Sequence, residues 1–525
     1  MGHHRLLERV AKECHLANAS GLVAVRRFFY SSYSRSLNGS IFDGLHMDLL
    51  SYADGMLNAG SHDEQSLGAG ILVALAESHR FEDSTLRKIG MSAPTIERLI
   101  QMLSWKSTSE RDVRRSAAVV VSMLTGRKFV ALRVTSIPGA VESVASLLYA
   151  DLDELNLLGL SILNKLAYDH DNCDKIGKTR NLVDKIISYC SITGGGQAVA
   201  PTDMRLKAVK QSLLVVKRLT GMTGTTGKLL RRELSDIVFT VSNLMEVLLE
   251  QRDGKVQSEL HQLAIEVLTS LAIDKEAREK IGGTGGVVRE LVAIFLPGKD
   301  QAKGNWQTDA IRVESGEALA MLALESRTNC GAIIMACGGG VERLVEALSD
   351  AVVIIGVARI LLNLCTYAGD EWQLPLRGVT TGATKVLSAI MVEKNKILNI
   401  FLGLAVQMLR FMEPELRACL AGASVTEKAL VQMLLHILRE YRRPCMAIPW
   451  IRRYAIELTV AMMQLDPRYM AMFVEHGMEG DLRCIAGTTS ELECFNAFSG
   501  SVGLSRHAVS VPSLVTSALE LMKIY

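Results

Sequence analysis

"EKIGGTGGVVREL", residues 279–291, places four glycines within five positions ahead of an apolar run with helical spacing. Two readings compete for it. A loop that cradles phosphate would make the chain a nucleotide enzyme, whereas a turn between helices would make it one unit of something larger. The dinucleotide fingerprint G-x-G-x-x-G fails, because Val288 stands at its last glycine position and no strand pattern leads in. The stretch also has relatives elsewhere in the chain, and they decide the matter.

Comparable segments are "APTIERLIQML" (93–103), "IPGAVESVASLL" (137–148), "TRNLVDKIISY" (179–189), "CGGGVERLVEAL" (337–348) and "TTGATKVLSAI" (380–390). Aligned on Leu99, Val144, Ile186, Leu291, Leu344 and Val386, they are separated by 45, 42, 105, 53 and 42 residues. A period of about 42 residues marks a repeat architecture. The interval of 105 has room for one divergent repeat plus the linker "TGGGQAVAPT" (193–202), and that of 53 holds a polar insertion, "GKDQAKGNWQ" (298–307). A second helical element recurs: "RRSAAVVVSMLTG", "LNLLGLSILNKLA", "LHQLAIEVLTSLA", "ESGEALAMLALES" and "IGVARILLNLC". Its small residues fall where a neighbouring helix must come close. A short helix follows, ending in Ile-Gly as in "CDKIG" and "REKIG". The unit is short helix, turn, helix, turn, long helix, and the four glycines are its punctuation.

This order and period resemble the armadillo repeat, over roughly residues 50–500. The resemblance implies an all-α, right-handed superhelical α-solenoid, because one such unit cannot bury its apolar faces alone and neighbours must stack. The stretches at 38–76 and 85–106 further resemble a little-characterised plant armadillo-repeat group. Members of that group often carry hydrophobic spans before the repeats, and this chain starts without them. In importin-like armadillo proteins each long helix presents an Asn, with a Trp four residues earlier, to grip extended basic peptides. The matching Asn positions are Met123, Lys165, Ser270, Met321 and Asn363; the matching Trp positions are Val119, Ser161, Glu266, Glu317 and Arg359. Only Asn363 conforms, so recognition of a nuclear-import signal is not expected. Glu266, Glu317, Arg359 and Asn363 are instead candidate contacts to some other protein partner.

Composition agrees with this reading. The chain has 525 residues, 49% of them hydrophobic, which suffices for a large core, and only 10 prolines, which suits helices. A formal net charge of +2 offers no track for nucleic acid. The 10 cysteines are dispersed without a C-x-x-C pair, as expected of buried thiols in a reducing compartment. The most apolar run, "AVVIIGVARILLNLC", is interrupted by Arg359 and reads as a buried repeat helix rather than a membrane span.

No set of nucleophile, base and orienting group can be nominated, so neither an enzyme nor a cofactor is expected. "GMTGTTGKLL" (221–230) mimics a P-loop, but five residues separate Gly221 from Gly227 and Leu229 replaces the hydroxyl that would hold magnesium. It reads as a loop between repeats. The 11 histidines form no metal-binding array.

One basic stretch stands out, "REYRRPCMAIPWIRRYAIEL" (439–458). Pro444 and Pro449 should break the helix so that Arg442 and Arg443 converge with Arg452 and Arg453 at a bend, with Trp450 beside them. Such a patch suits an acidic or phosphorylated peptide. The plainer alternative is that these arginines cap helix ends and pair with Glu440 and Glu457. At the N-terminus, Arg5, Arg9, Lys12, Arg26, Arg27 and Arg35 oppose only Glu8 and Glu13.

The expected organisation is a basic segment over 1–45, capping or flexible, then repeats over 46–200. Further repeats follow over 201–485, with loop insertions near 193–203 and 297–310, and a C-terminal loop and capping helix at 486–525. The expected function is a non-catalytic scaffold in the cytoplasm that binds a protein partner in its groove. A regulatory protein held at a membrane by its N-terminal region or by a partner is the competing expectation.

Overall fold

The computed structural model describes residues 2–42, 47–150, 153–193, 202–250, 255–297, 306–411, 416–499 and 502–524. Most of the linker 193–202 and of the polar insertion 298–307 lies outside them. The chain divides into two compact units, residues 1–222 and 223–525.

Each unit is a stack of three-helix repeats of the armadillo kind, and the long third helix of each repeat packs on that of the next. In the first unit the third helices are α1 (His62–Glu77), α2 (Arg111–Leu124), α3 (Asp153–Leu166) and α4 (Asp203–Thr220). In the second they are α5 (Lys255–Leu271), α6 (Trp306–Ala323), α7 (Ile354–Tyr367), α8 (Asn395–Leu409), α9 (Ile451–Leu465) and α10 (Val511–Ile524). The first unit extends past the linker because α4 packs on α3. Its N-terminal helices, Gly2–Glu13 and Ala19–Asn38, pack on each other, and the second of them covers α1. The described fold is all-α apart from one antiparallel hairpin, Phe495–Ser499 with Val502–Arg506, inserted before α10.

The divergent repeat sits within the interval of 105 residues as Gly224–Asp236, Thr240–Leu249 and α5. Only residues 221–223 of "GMTGTTGKLL" form the connection expected there, since Gly224 begins a helix. Burial of Leu230 and Leu234 outweighs the poor helix propensity of its threonines and glycines.

Local chemistry fixes the repeat boundaries. Asp169 and Asp274 cap the first helices of two repeats, each accepting two backbone N–H groups. The residue immediately before the second helix takes a left-handed conformation in four repeats: Gly139, Asn181, Gly286 and Gly477, at φ of 75°, 58°, 94° and 79°. The glycines of the opening stretch thus do not share one role. Gly286 supplies the left-handed turn, and Gly282 and Gly283 end the helix Lys275–Gly283. Gly282 lies against the next repeat, where a Cβ would stand 1.7 Å from Asn329 Oδ1. Asn329 is fully buried there and donates to Arg278 O and Leu322 O.

Three substitutions separate these roles. Gly282→Ala should cost about 2 kcal/mol or more, because Asn329 must shift and leave buried polar groups unpaired. Gly286→Ala should cost about 1–2 kcal/mol for its left-handed backbone. Gly283→Ala, open to space, should be neutral or slightly stabilising. Urea unfolding checks the ranking, and equal losses at all three positions would refute it.

Leu268, Leu271, Leu291 and Leu344, named by the period, are all buried. Ion pairs link successive repeats: Arg127 with Asp83, Lys280 with Asp236, and Arg312 with Asp350. All ten cysteines are free thiols. Burial pushes Cys173 and Cys337 up to about 11, and Cys190, Cys330 and Cys365 up to about 12.

Candidate protein-binding groove

Stacked third helices present one half-buried stripe per repeat between two buried seams. The pattern follows from helical geometry: residues four apart share a face, and the flanking apolar positions are consumed by neighbouring helices. In the second unit the stripe is Glu266 and Ser270 on α5, Glu317 and Met321 on α6, and Arg359 and Asn363 on α7. Gly403 and Gln407 on α8, then Glu457 and Ala461 on α9, continue the register, with Gly403 fully buried. The structure thus brings Glu266, Glu317, Arg359 and Asn363 to equivalent positions on one face.

Their polar groups largely serve the stack itself. Arg359 is ion-paired with Glu317, and Asn363 Nδ2 donates to Ala320 O at 2.8 Å. Glu266 accepts from Gln262 Nε2 at 3.4 Å. The first unit behaves alike: Lys165 Nζ donates to Ser122 O at 2.5 Å, and Arg218 lies 3.2 Å from the centroid of the Tyr168 ring. Asn363 thus spends one of its two amide N–H donors on the preceding repeat.

The stretch 439–458 does break as its prolines dictate, one helix ending at Glu440 and α9 starting at Ile451. Its four arginines do not form one surface patch, which corrects the expectation from sequence. Arg452 is buried and paired with Glu493, a partner 41 residues away that no local pattern reveals. Arg453 is also buried, its Nε 2.9 Å from Glu457 Oε1. Arg442 is exposed and lies 3.6 Å from Asp481, and Arg443 is exposed. Trp450 is half-buried, its indole N–H donating to Phe495 O at the root of the hairpin.

At the C-terminal end of the stripe α7, α8 and α9 line a cavity of about 710 Å³. Residues 507–509, which follow the hairpin, and Leu514 on α10 form another part of its wall. Its charged and titratable lining includes Glu325, Arg410, Arg453, Glu457 and His507, with Gln407 beside them among the neutral polar groups. Burial raises the Glu457 carboxyl above its usual range, against the opposing pull of Arg453 and Arg410. Burial lowers His507 to about 4, assisted by the nearby Arg453 charge, so its imidazole is neutral at pH 7. Tyr367 is pushed up to about 12 by burial and by Glu325. Sequence reasoning reached Arg453 but missed Gln407, Arg410 and His507. Gln407 lies 44 residues after Asn363 and was findable by extending the register one repeat; His507 follows an insertion and carries no such signal.

No group of three or more potential metal ligands converges among the described residues. Among them, too, no single helix is long and apolar enough to cross a membrane.

Comparison with known proteins bears on the fold alone. An engineered protein solved by a structural genomics consortium superposes with a TM-score of 0.63 at 17% identity, covering 91% of this chain and 99% of that one. A designed armadillo repeat protein matches 52% of this chain and 99% of its own at 14% identity and a TM-score of 0.40. Another, solved in complex with the peptide (KR)4, gives the same coverages and TM-score at 13% identity. No protein-family model matches the chain, and no curated protein matches it significantly.

Proposed function

We propose that the chain is a non-catalytic scaffold that receives a segment of a protein partner along the third-helix face of its second unit. The observation that carries this reading is the half-buried stripe repeated once per third helix and leading into the 710 Å³ cavity. A continuous row of partly exposed, chemically mixed side chains on a rigid stack suits an extended chain better than a small substrate. Free, dispersed thiols support a reducing setting such as the cytoplasm. Kinship with the plant armadillo-repeat group belongs to the same proposal and rests on residues 38–76 and 85–106.

The test is partner capture with a blocked stripe. Ser270→Arg with Met321→Arg should abolish partner recovery while the circular dichroism stays helical. Met335→Arg, on the exposed side of a first helix, should leave it intact. Identical partner lists for all three proteins would reject the groove as the site.

A second reading, contact with an anionic membrane surface, is favoured by the helix Ala19–Asn38 and the residues after it. Tyr30, Tyr33, Leu37, Ile41 and Phe42 are all exposed there, beside exposed Arg26, Arg27 and Arg35. Aromatic side chains with flanking cations suit a lipid interface. Flotation with phosphatidylserine vesicles should then succeed and weaken with salt. Flotation unaffected by changing the three arginines to Glu would end this reading.

A further inference from the structure

The cavity at the end of the stripe contains polar groups that the fold leaves unused. Arg453 is only 2% exposed, yet its Nη1 has no hydrogen-bond partner, and Glu457 meets it only along the Nε edge. Gln407 and His507 line the same cavity, and their Oε1 and Nε2 atoms are likewise buried without a partner. Buried polar groups are almost always satisfied, so an unpaired donor and an unpaired acceptor in one cavity point to something that binds there. A second cation, Arg410, stands at the rim. Leu362, Val406, Val460 and Leu514 supply an apolar lining. The final repeat also differs from the others: the connection between its second and third helices is the hairpin insertion, and residues 507–509 wall the cavity.

We propose that this cavity seats the carboxylate end of a bound peptide, with Arg453 Nη1 donating to the carboxylate and Gln407 Oε1 accepting the N–H of the terminal residue. The terminal side chain lies on the apolar lining. A chain terminus fits because carboxylate and amide N–H are adjacent in one residue, and the Arg453 guanidinium offers an unused donor and Gln407 an unused acceptor in one cavity. Guanidinium is the side chain best suited to a carboxylate, and low exposure strengthens the contact. His507, neutral at pH 7, adds a polar wall without charge, and Arg410 and Arg453 balance the Glu325 and Glu457 carboxyls of the same wall. This inference rests on the groove reading above and goes further by naming the end of the ligand.

Three fluorescein-labelled decapeptide pools, randomised without Asp or Glu unless stated, test it on the full chain. One has free C-terminal carboxylates, one has C-terminal amides, and one has amides with a single internal Glu. The free-acid pool should be retained at least about tenfold better than the plain amide pool, the loss expected for one charged hydrogen bond. Arg453→Met should remove that preference. Because Arg453 is buried, a variant there can lose binding by unfolding, so Gln407→Met provides the second arm: Gln407 Oε1 bonds to nothing in the fold, so this protein should fold normally yet bind the free-acid pool more weakly. Equal retention of acid and plain amide pools overturns the carboxylate seat while leaving the groove reading standing. Retention of the internal-Glu pool above the free-acid pool overturns the terminus as the source. If no pool is retained, the seat is rejected, and the groove stands or falls on partner capture.

Discussion

Arg452→Met should be among the most damaging single substitutions in the second unit, costing about 3–5 kcal/mol. The guanidinium is buried against Glu493, which is wholly buried itself. It also donates to Arg442 O at 2.9 Å, Thr488 Oγ1 at 2.7 Å and Thr489 O at 2.6 Å. One side chain therefore ties the proline-broken turn, the start of α9 and the approach to the hairpin. Methionine would leave the Glu493 carboxylate buried without its counter-charge and three acceptors without their donor. In a stack of repeats the harm should stay local. Hydrogen exchange should rise over 442–465 and 488–494 and be unchanged over α1–α3. The double change Arg452→Met with Glu493→Met should be less harmful than Arg452→Met alone, since no unpaired charge remains. An unaltered urea midpoint for Arg452→Met would refute the strut.

Phe295→Ala should cost a similar amount, about 3–5 kcal/mol. The ring is wholly buried and occupies space kept open by glycines on two successive third helices. A Cβ at Gly316 on α6 would come within 2.6 Å of the ring, and one at Gly356 on α7 within 3.4 Å. Truncating the ring opens a cavity where α6 and α7 meet. The reciprocal change, Gly316→Ala, overfills the same space and should cost about 1–3 kcal/mol. Combining Gly316→Ala with Phe295→Leu should cost less than the sum of the two. Strict additivity in urea unfolding would show that ring and glycine do not share that space.

These two sites mark what the sequence made legible. The glycines of "ESGEALAML" and "IGVARILL" stood out as small residues on apolar helices, and close approach is their role. Helical spacing and the 42-residue period carried the fold because every repeat must solve the same packing problem. The divergent repeat was expected from the interval of 105, but its first helix at Gly224 was hidden because its threonines and glycines resemble a loop, and packing of Leu230 and Leu234 makes it helical. Arginines were read as surface, the ordinary expectation for a charge. Arg453 pairs with Glu457 one turn on, as the plainer alternative had it, whereas the partner of Arg452, Glu493, becomes visible only when distant segments meet. Half of the candidate site was thus in the register of the third helices, and half in contacts without sequence periodicity.

The distribution of thiols gives the molecule built-in timers. Cys173 and Cys190 are sealed in the first unit, and Cys330, Cys337 and Cys365 in the second. Cys484 is exposed. A thiol-modifying reagent at neutral pH meets Cys484 immediately. It reaches the five sealed sulfurs only when the helices around them separate, because they are buried, and that burial also disfavours the reactive thiolate. The order in which these five are modified therefore records which unit breathes first, with no label introduced and no residue changed.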